Sequence, residues 1–152
     1  MGLIYNYLKE KKIAALLGGN CLIESVIYKC HVTKCEYDVG KHYIGLTGGK
    51  FKDRWASHNY SLRHEKASKS TELSKYVWEL KNNGIVPNLT WEIIDRAMSY
   101  KNGSKTCNLC LTEKYHIITS KIPLLNKRTE LISKCRHLNK FLLSNYKSVP
   151  PD

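Results

Sequence analysis

The sequence predicts an α+β fold in a single domain, with strands that open as a hairpin and helices packed beside them. Three observations predict it. Val26, Tyr28, Cys30 and Val32 alternate with Ile27, Lys29 and His31, the two-residue period of a strand. Phe51, Trp55 and Leu62, and then Leu73, Tyr76, Val77 and Leu80, recur at helical spacing. Leu89, Trp91 and Ile93 return to the strand period. A chain of 152 residues fits one domain with a core of ordinary size. Residues 20–143 are expected to form it, with 1–19 a leader or loosely packed helix and 144–152 a flexible tail.

Taken in order, Met1 to Asn20 carries no strong period and contains Gly18-Gly19. The first strand ends in a turn over Lys34 to Lys41, where Asp38 and Gly40 favour a loop longer than the tight two-residue types. His42 to Thr47 forms the second strand, which Gly48-Gly49 is expected to end. A helix follows from Phe51 to about Arg63. Ser70 or Thr71 caps the next helix, and Asn82-Asn83-Gly84 stops it. After the third strand, a polar loop from Ser99 to Thr106 leads to Cys107-Asn108-Leu109-Cys110 and a helix that begins near Cys110 and runs through Ile118. Pro123 breaks that helix, and a last helical segment is expected from about Arg128 to Leu143.

Composition is ordinary except in charge. Twenty-five Lys and Arg against thirteen Asp and Glu leave a net charge of +12. Such an excess favours polyanionic partners, because each neutralised phosphate releases condensed counterions. The apolar stretch Ile13 to Leu17 is far too short to span a bilayer, and Lys9-Glu10-Lys11-Lys12 before it does not form a clean secretory signal. No membrane partner is expected. The six cysteines then belong to a reducing, intracellular setting, where they bind metal or stay as thiols more often than they pair.

Several residues suit phosphodiester chemistry. Arg54 and His58 are four apart on one helix, so they share a face beside Phe51 and Trp55. Arginine offers planar donors matched to a phosphate, and histidine can move a proton near neutral pH. Tyr28 and Tyr43 lie on the paired strands; taken singly, each reads as a core tyrosine with a satisfied hydroxyl. Glu113 in the first turns of its helix can hold Mg²⁺ or Mn²⁺, or simply be an acid stabilised by the helix dipole. The dipole explanation is preferred for Glu72. Cys107 and Cys110 have the spacing of a zinc half-site.

Tyr28, Tyr43-Ile44-Gly45, Arg54 with His58, a helical Glu113 and a late Asn126 together resemble the GIY-YIG endonuclease superfamily, although Val26-Ile27-Tyr28 stands where Gly-Ile-Tyr is usual. Within it the chain is most similar to the endonuclease module of Penelope-like retroelements. The stretches 20–28, 43–47, 70–78, 107–114 and 124–131, with Ser133-Lys134-Cys135-Arg136-His137 and Asn139-Lys140-Phe141, carry that likeness over about 20–143.

The resemblance implies a compact α/β (α+β) domain, a three-stranded antiparallel sheet flanked by helices, and in-line hydrolysis of DNA with one Mg²⁺ or Mn²⁺. It implies that Tyr28 deprotonates or orients the attacking water, with its pKa lowered by Arg54 and the metal. Tyr43 would help hold the water or phosphate, Arg54 stabilise developing charge, and His58 assist proton movement. Glu113 would bind the metal, and Asn126 hydrogen-bond near the reacting group. The product would be a nick or break with a 3′-hydroxyl that primes reverse transcription. With no polymerase in the chain, the reverse transcriptase is expected on another chain, and this one to be a detached domain, a remnant or a repurposed gene. Action on DNA places it in the nucleus.

Relatives look as if they carry a cysteine pair before the first strand. Cys21 matches its second member, while Ala15 occupies the place of the first. A structural zinc on Cys21, Cys107 and Cys110 would take a fourth ligand from Cys30, Cys35, Cys135 or His137. Thiols packed as small hydrophobes, and disulfides, are the other readings. Lys41, Lys50, Lys52, Arg63 and Lys114 are candidates to guide the DNA backbone, each alone also readable as a solvated charge. The competing function is a catalytically inactive, zinc-stabilised DNA-binding domain; an RNA-binding module is weaker, since no stacking platform is evident.

Overall fold

The computed structural model describes residues 20–98, 101 and 107–127. The expected leader, last helix and tail, together with Cys135 and His137, lie outside them. Strands β1 (Glu24–Thr33), β2 (Lys41–Lys50) and β3 (Asn88–Arg96) form an antiparallel sheet in the order β2-β1-β3. Helices α1 (Phe51–Arg63), α2 (Glu72–Asn82) and α3 (Asn108–Thr119) flank it, as an α+β fold. Single 3-10 turns occupy Asn20–Leu22 and Glu65–Ala67. Among the described residues no helix is long and apolar enough to cross a membrane.

The two-residue period of β1 sorts its side chains into two cores. Val26, Tyr28, Cys30 and Val32 join Tyr43 and Trp91 on one face, packed against Phe51 of α1 and Leu73, Val77 and Leu80 of α2. Ile27, Ile44 and Leu46 face the other way, onto Leu109, Cys110 and Ile117 of α3. The sheet is therefore the middle layer, and central β1 is buried on both sides.

Local chemistry sets the boundaries. Thr71 caps α2: its hydroxyl accepts from the Ser74 amide at 3.1 Å while Ser74 Oγ accepts from the Thr71 amide at 3.0 Å, a reciprocal box that satisfies two otherwise orphaned donors. At the other end Gly84 takes a positive φ of 75°, and its amide donates to the Lys81 carbonyl while Ile85 donates to Leu80. That 5→2 and 6→1 pair closes the helix, and Ile85 packs back on the core beside Leu80.

Two expectations change. Gly48-Gly49 does not end β2, which continues to Lys50 because β1 keeps pairing with it through a bulge: Glu24 is opposite Lys50 while Val26 is opposite Thr47. Ser25, the residue between, sits at φ 56°. Helix α3 starts at Asn108 rather than near Cys110, with Cys107 at its N-cap and no acid in its first turn.

The outer edge of β2 is clasped by residues 123–126. The His42 amide donates to the Pro123 carbonyl at 2.9 Å, and the Leu125 amide to the His42 carbonyl at 2.7 Å. Asn126 extends this ladder with its side chain: Oδ1 accepts from the Ile44 amide at 2.9 Å and Nδ2 donates to the Ile44 carbonyl at 2.7 Å. A side-chain amide thus stands in for a peptide unit of a neighbouring strand and keeps the edge from lying open.

Candidate active site

β1 and β2 place Tyr28 opposite Gly45, and Cys30 opposite Tyr43, so both tyrosines project from the same sheet face. The Tyr28 ring leans over Gly45. A methyl group built there would run into the Tyr28 hydroxyl and ring, so the strand needs glycine at this point for a close approach rather than for an unusual φ. Helix α1 crosses this face with Phe51, Trp55, His58, Ser61 and Leu62 turned inward.

His58 is only 2 % exposed. Its ring is surrounded by those of Tyr28 and Tyr43, each with its centroid 5.6 Å away, and of Trp91 at 5.4 Å. Nε2 of His58 lies 2.7 Å from the Tyr28 hydroxyl. One turn earlier, Nε of Arg54 donates to that same hydroxyl at 3.0 Å, and its guanidinium also hydrogen-bonds Tyr43. The helical spacing of Arg54 and His58 thus puts a cation and an imidazole on a single phenol oxygen.

Burial outweighs Arg54 in the electrostatics of this cluster. Burial pushes the Tyr28 phenol well above its ordinary range, and the neighbouring Tyr43 adds to the rise. Arg54 opposes both without reversing them. Burial likewise lowers His58, to about 3, with the Arg54 charge contributing, so its imidazole is neutral at ordinary pH. Burial works against the charge of Arg54, but the two phenols more than offset it and hold its pKa up. A protonated phenol, a neutral imidazole and a fixed cation share the site.

Glu113 comes from α3, on the stripe formed by Leu109, Cys110, Glu113, Lys114 and Ile117, all of them buried. It lies beyond the first turn, so the helix dipole does not explain it. A carboxylate only 4 % exposed on an apolar stripe is expensive to bury as a charge. Its field reaches Tyr28, as the weakest of the influences that raise the phenol. One buried carboxylate suits a hard divalent cation whose remaining sites are filled by water and phosphate oxygens.

The remaining candidates are placed less favourably. Asn126 has both ends of its amide engaged on the Ile44 backbone, so it braces the strand that carries Tyr43 rather than presenting itself to a reacting group. Lys114 is buried, not solvated, because it shares the inward stripe with Glu113. Lys41 and Lys50 mark opposite ends of β2, and Lys52 and Arg63 opposite ends of α1, so the four do not make one patch. Lys41 rests over the Tyr76 ring, 4.8 Å from its centroid.

The zinc expectation finds little support among the described residues. Cys107 and Cys110 are buried on the α3 side of the sheet, whereas Cys30 lies on the opposite face. Cys21 sits half-buried in the first 3-10 turn, and Cys35 is exposed in the turn after β1. Among the described residues no group of three or more His, Cys, Asp or Glu is arranged to hold a metal. Cys21, Cys107 and Cys110 do not form such a group there, and Cys30 lies on the opposite face of the sheet from Cys107 and Cys110.

Sequence reasoning places Gly45 in a motif and Trp91 in a strand but assigns neither a part in shaping the site. The first carries a signal, a glycine interrupting an apolar strand. Trp91 carries none, since a strand tryptophan at an apolar position reads as core. Comparisons with protein-family models, curated proteins and solved structures find no match for this chain.

Proposed function

We propose that this chain is a metal-dependent DNA endonuclease of the GIY-YIG type, derived from a Penelope-like retroelement. In this reading it nicks DNA in the nucleus to leave a 3′-hydroxyl for a reverse transcriptase on another chain. The observation that carries the proposal is the single hydroxyl of Tyr28 bonded to both Arg54 and His58. A buried phenol does not need a guanidinium and an imidazole to be satisfied; one acceptor is enough.

Phosphate binding draws the Arg54 guanidinium toward the non-bridging oxygens, where it offsets the charge that develops in the transition state. That movement frees a lone pair on Tyr28 and removes from His58 the nearby positive charge that helps to keep it neutral. Water then attacks phosphorus and gives its proton to the Tyr28 oxygen, while the original phenol proton passes to Nε2 of His58. The P–O bond to the departing 3′-oxygen breaks, that oxygen takes a proton from solvent water and leaves as the hydroxyl, and His58 returns its proton to solvent. Tyr43 holds the phosphate or water beside Arg54. Glu113 would hold Mg²⁺ or Mn²⁺, which when bound supplies Lewis-acid charge to the phosphate and to the leaving oxygen.

A second reading has an observation of its own. Tyr28 is fully buried, so its hydroxyl is out of reach of bulk water until Arg54 moves. If Arg54 is locked, the domain binds DNA without cutting it. Nicking of supercoiled plasmid separates the two: Mg²⁺-dependent conversion to the open circle supports the nuclease. A folded, DNA-binding protein that leaves the plasmid intact supports the retired domain.

A further inference from the structure

Lys75 and Trp78 have no part in the chemistry above, yet they help to line a second polar site along α2. Lys75, Trp78, Glu79 and Asn82 recur at i, i+3, i+4 and i+7, and with Ser68, Lys69 and Asn83 they line a shallow, open surface cavity of about 360 Å³. Its aromatic wall is held in place. The Trp78 indole Nε1 donates to the Ser61 carbonyl at 2.9 Å, and Lys81 lies over the ring, 4.7 Å from its centroid, while donating to the Leu62 carbonyl. Those carbonyls belong to the last turn of α1, where helix acceptors are otherwise orphaned. The indole is thus held by its edge and by Lys81 over the ring, and Trp78 is one of the residues that line the pocket.

A rigid aromatic surface, two side-chain amides, a hydroxyl and a lysine form a donor set suited to one unpaired nucleotide. A base stacks on indole whatever its identity, amides meet base edges, and an ammonium meets the adjoining phosphate. Lys75 is partly neutralised by Glu72 at 2.7 Å, which leaves Lys69 as the principal cation of the rim. Glu79 disfavours a second phosphate on its side. The volume falls at the lower end of the range for small-ligand sites.

We infer that this cavity takes one unpaired base of a nucleic acid, stacked on Trp78 with its phosphate on Lys69, so that the protein grips a single-stranded segment away from the Tyr28 site. The inference rests on the nucleic-acid reading given above.

The test is metal-free fluorescence anisotropy with a labelled single-stranded DNA, the same sequence as RNA, and the DNA duplex, across a salt series. Trp78→Ala is expected to weaken single-strand binding about five- to a hundredfold, the range that one lost base–aromatic stack produces, and to change duplex binding less than twofold. Because Trp78 also ties α1 to α2, Lys69→Ala serves as the second variant; it should lower the salt slope of single-strand binding by about one. Equal effects on DNA and RNA oligomers point to base and phosphate alone, and a preference to the sugar; both outcomes support the site. The inference is overturned if wild type does not bind single strands. It is also overturned if neither variant changes single-strand binding, or if single-strand and duplex affinities fall together. No catalysis is measured, so a protein that nicks but fails this test loses only this inference, and one that passes without nicking loses only the nuclease.

Discussion

Nε2 of His58 lies 2.7 Å from the hydroxyl of Tyr28, inside a cage of aromatic rings that keeps the imidazole neutral. A histidine in that position is a proton acceptor held in reserve behind the phenol. His58→Phe keeps the ring volume and removes the acceptor, leaving Tyr28 bonded to Arg54 alone. Nicking should fall by about 10²–10⁴-fold, the usual contribution of a positioned acid–base group, while the lost acceptor for the buried phenol costs only about 1–3 kcal/mol of stability and leaves the domain folded. Paired plasmid and thermal-melt assays check this; unchanged nicking would remove His58 from the proton path.

The same burial makes stability depend on pH. His58 has its pKa lowered from 6.5 unfolded to about 3 folded, so the unfolded chain binds the extra proton first. Its contribution is fully present above about pH 6.5 and is lost progressively down to about pH 3, by roughly 1.4 kcal/mol per pH unit once below pH 6. His42, lowered to about 4, acts in the same direction. Urea titrations at pH 7.5 and 5 should show a lower midpoint at pH 5, with about half of the difference removed in His58→Phe and the rest traceable to His42.

Gly45→Ala tests the close approach of strand and phenol. The added methyl group must displace the Tyr28 ring, which is packed against Phe51 and Trp91 and has no free space to enter. Overpacking of this kind costs about 1–3 kcal/mol. Near-full stability in chemical denaturation would show that the ring can move aside.

Much of this arrangement was legible before any coordinates. The strand period of Val26 to Val32 and the four-residue spacing of Arg54 and His58 depend on local geometry, which sequence displays directly. The α1 boundaries and the Thr71 cap were readable for the same reason. What sequence could not display was depth. Tyr28, His58 and Lys114 are polar or titratable residues whose burial depends on three layers meeting, and burial raises the phenol's pKa against the pull of Arg54. Asn126 was found as a residue but not as a brace, because its partner lies 82 positions away. The reach of β2 past two glycines depends on a bulge that those glycines themselves form opposite the single residue Ser25.

Asn126 is a positioning residue by geometry, and substitution can separate this from a role at the phosphate. Asn126→Ala loses two hydrogen bonds to Ile44, worth about 1–3 kcal/mol together, and Asn126→Asp keeps only the acceptor at Oδ1. The melting temperature should fall for both variants, more for Ala, with nicking at low temperature retained. Lost nicking in a fully stable Asn126→Ala protein would instead place the amide at the reacting group.

The central claim is that a buried carboxylate on α3, the β1 phenol, and the guanidinium and imidazole of α1 serve one metal-dependent reaction. The most direct measurement is conversion of supercoiled plasmid by purified protein with Mg²⁺ or Mn²⁺, run beside Glu113→Ala and an EDTA control, with DNA affinity measured for both proteins. The predicted result is nicking by wild type that EDTA abolishes and that Glu113→Ala loses by about 10²-fold or more while still binding DNA. Nicking that survives both EDTA and Glu113→Ala, or no nicking by a folded protein that binds DNA, would contradict it.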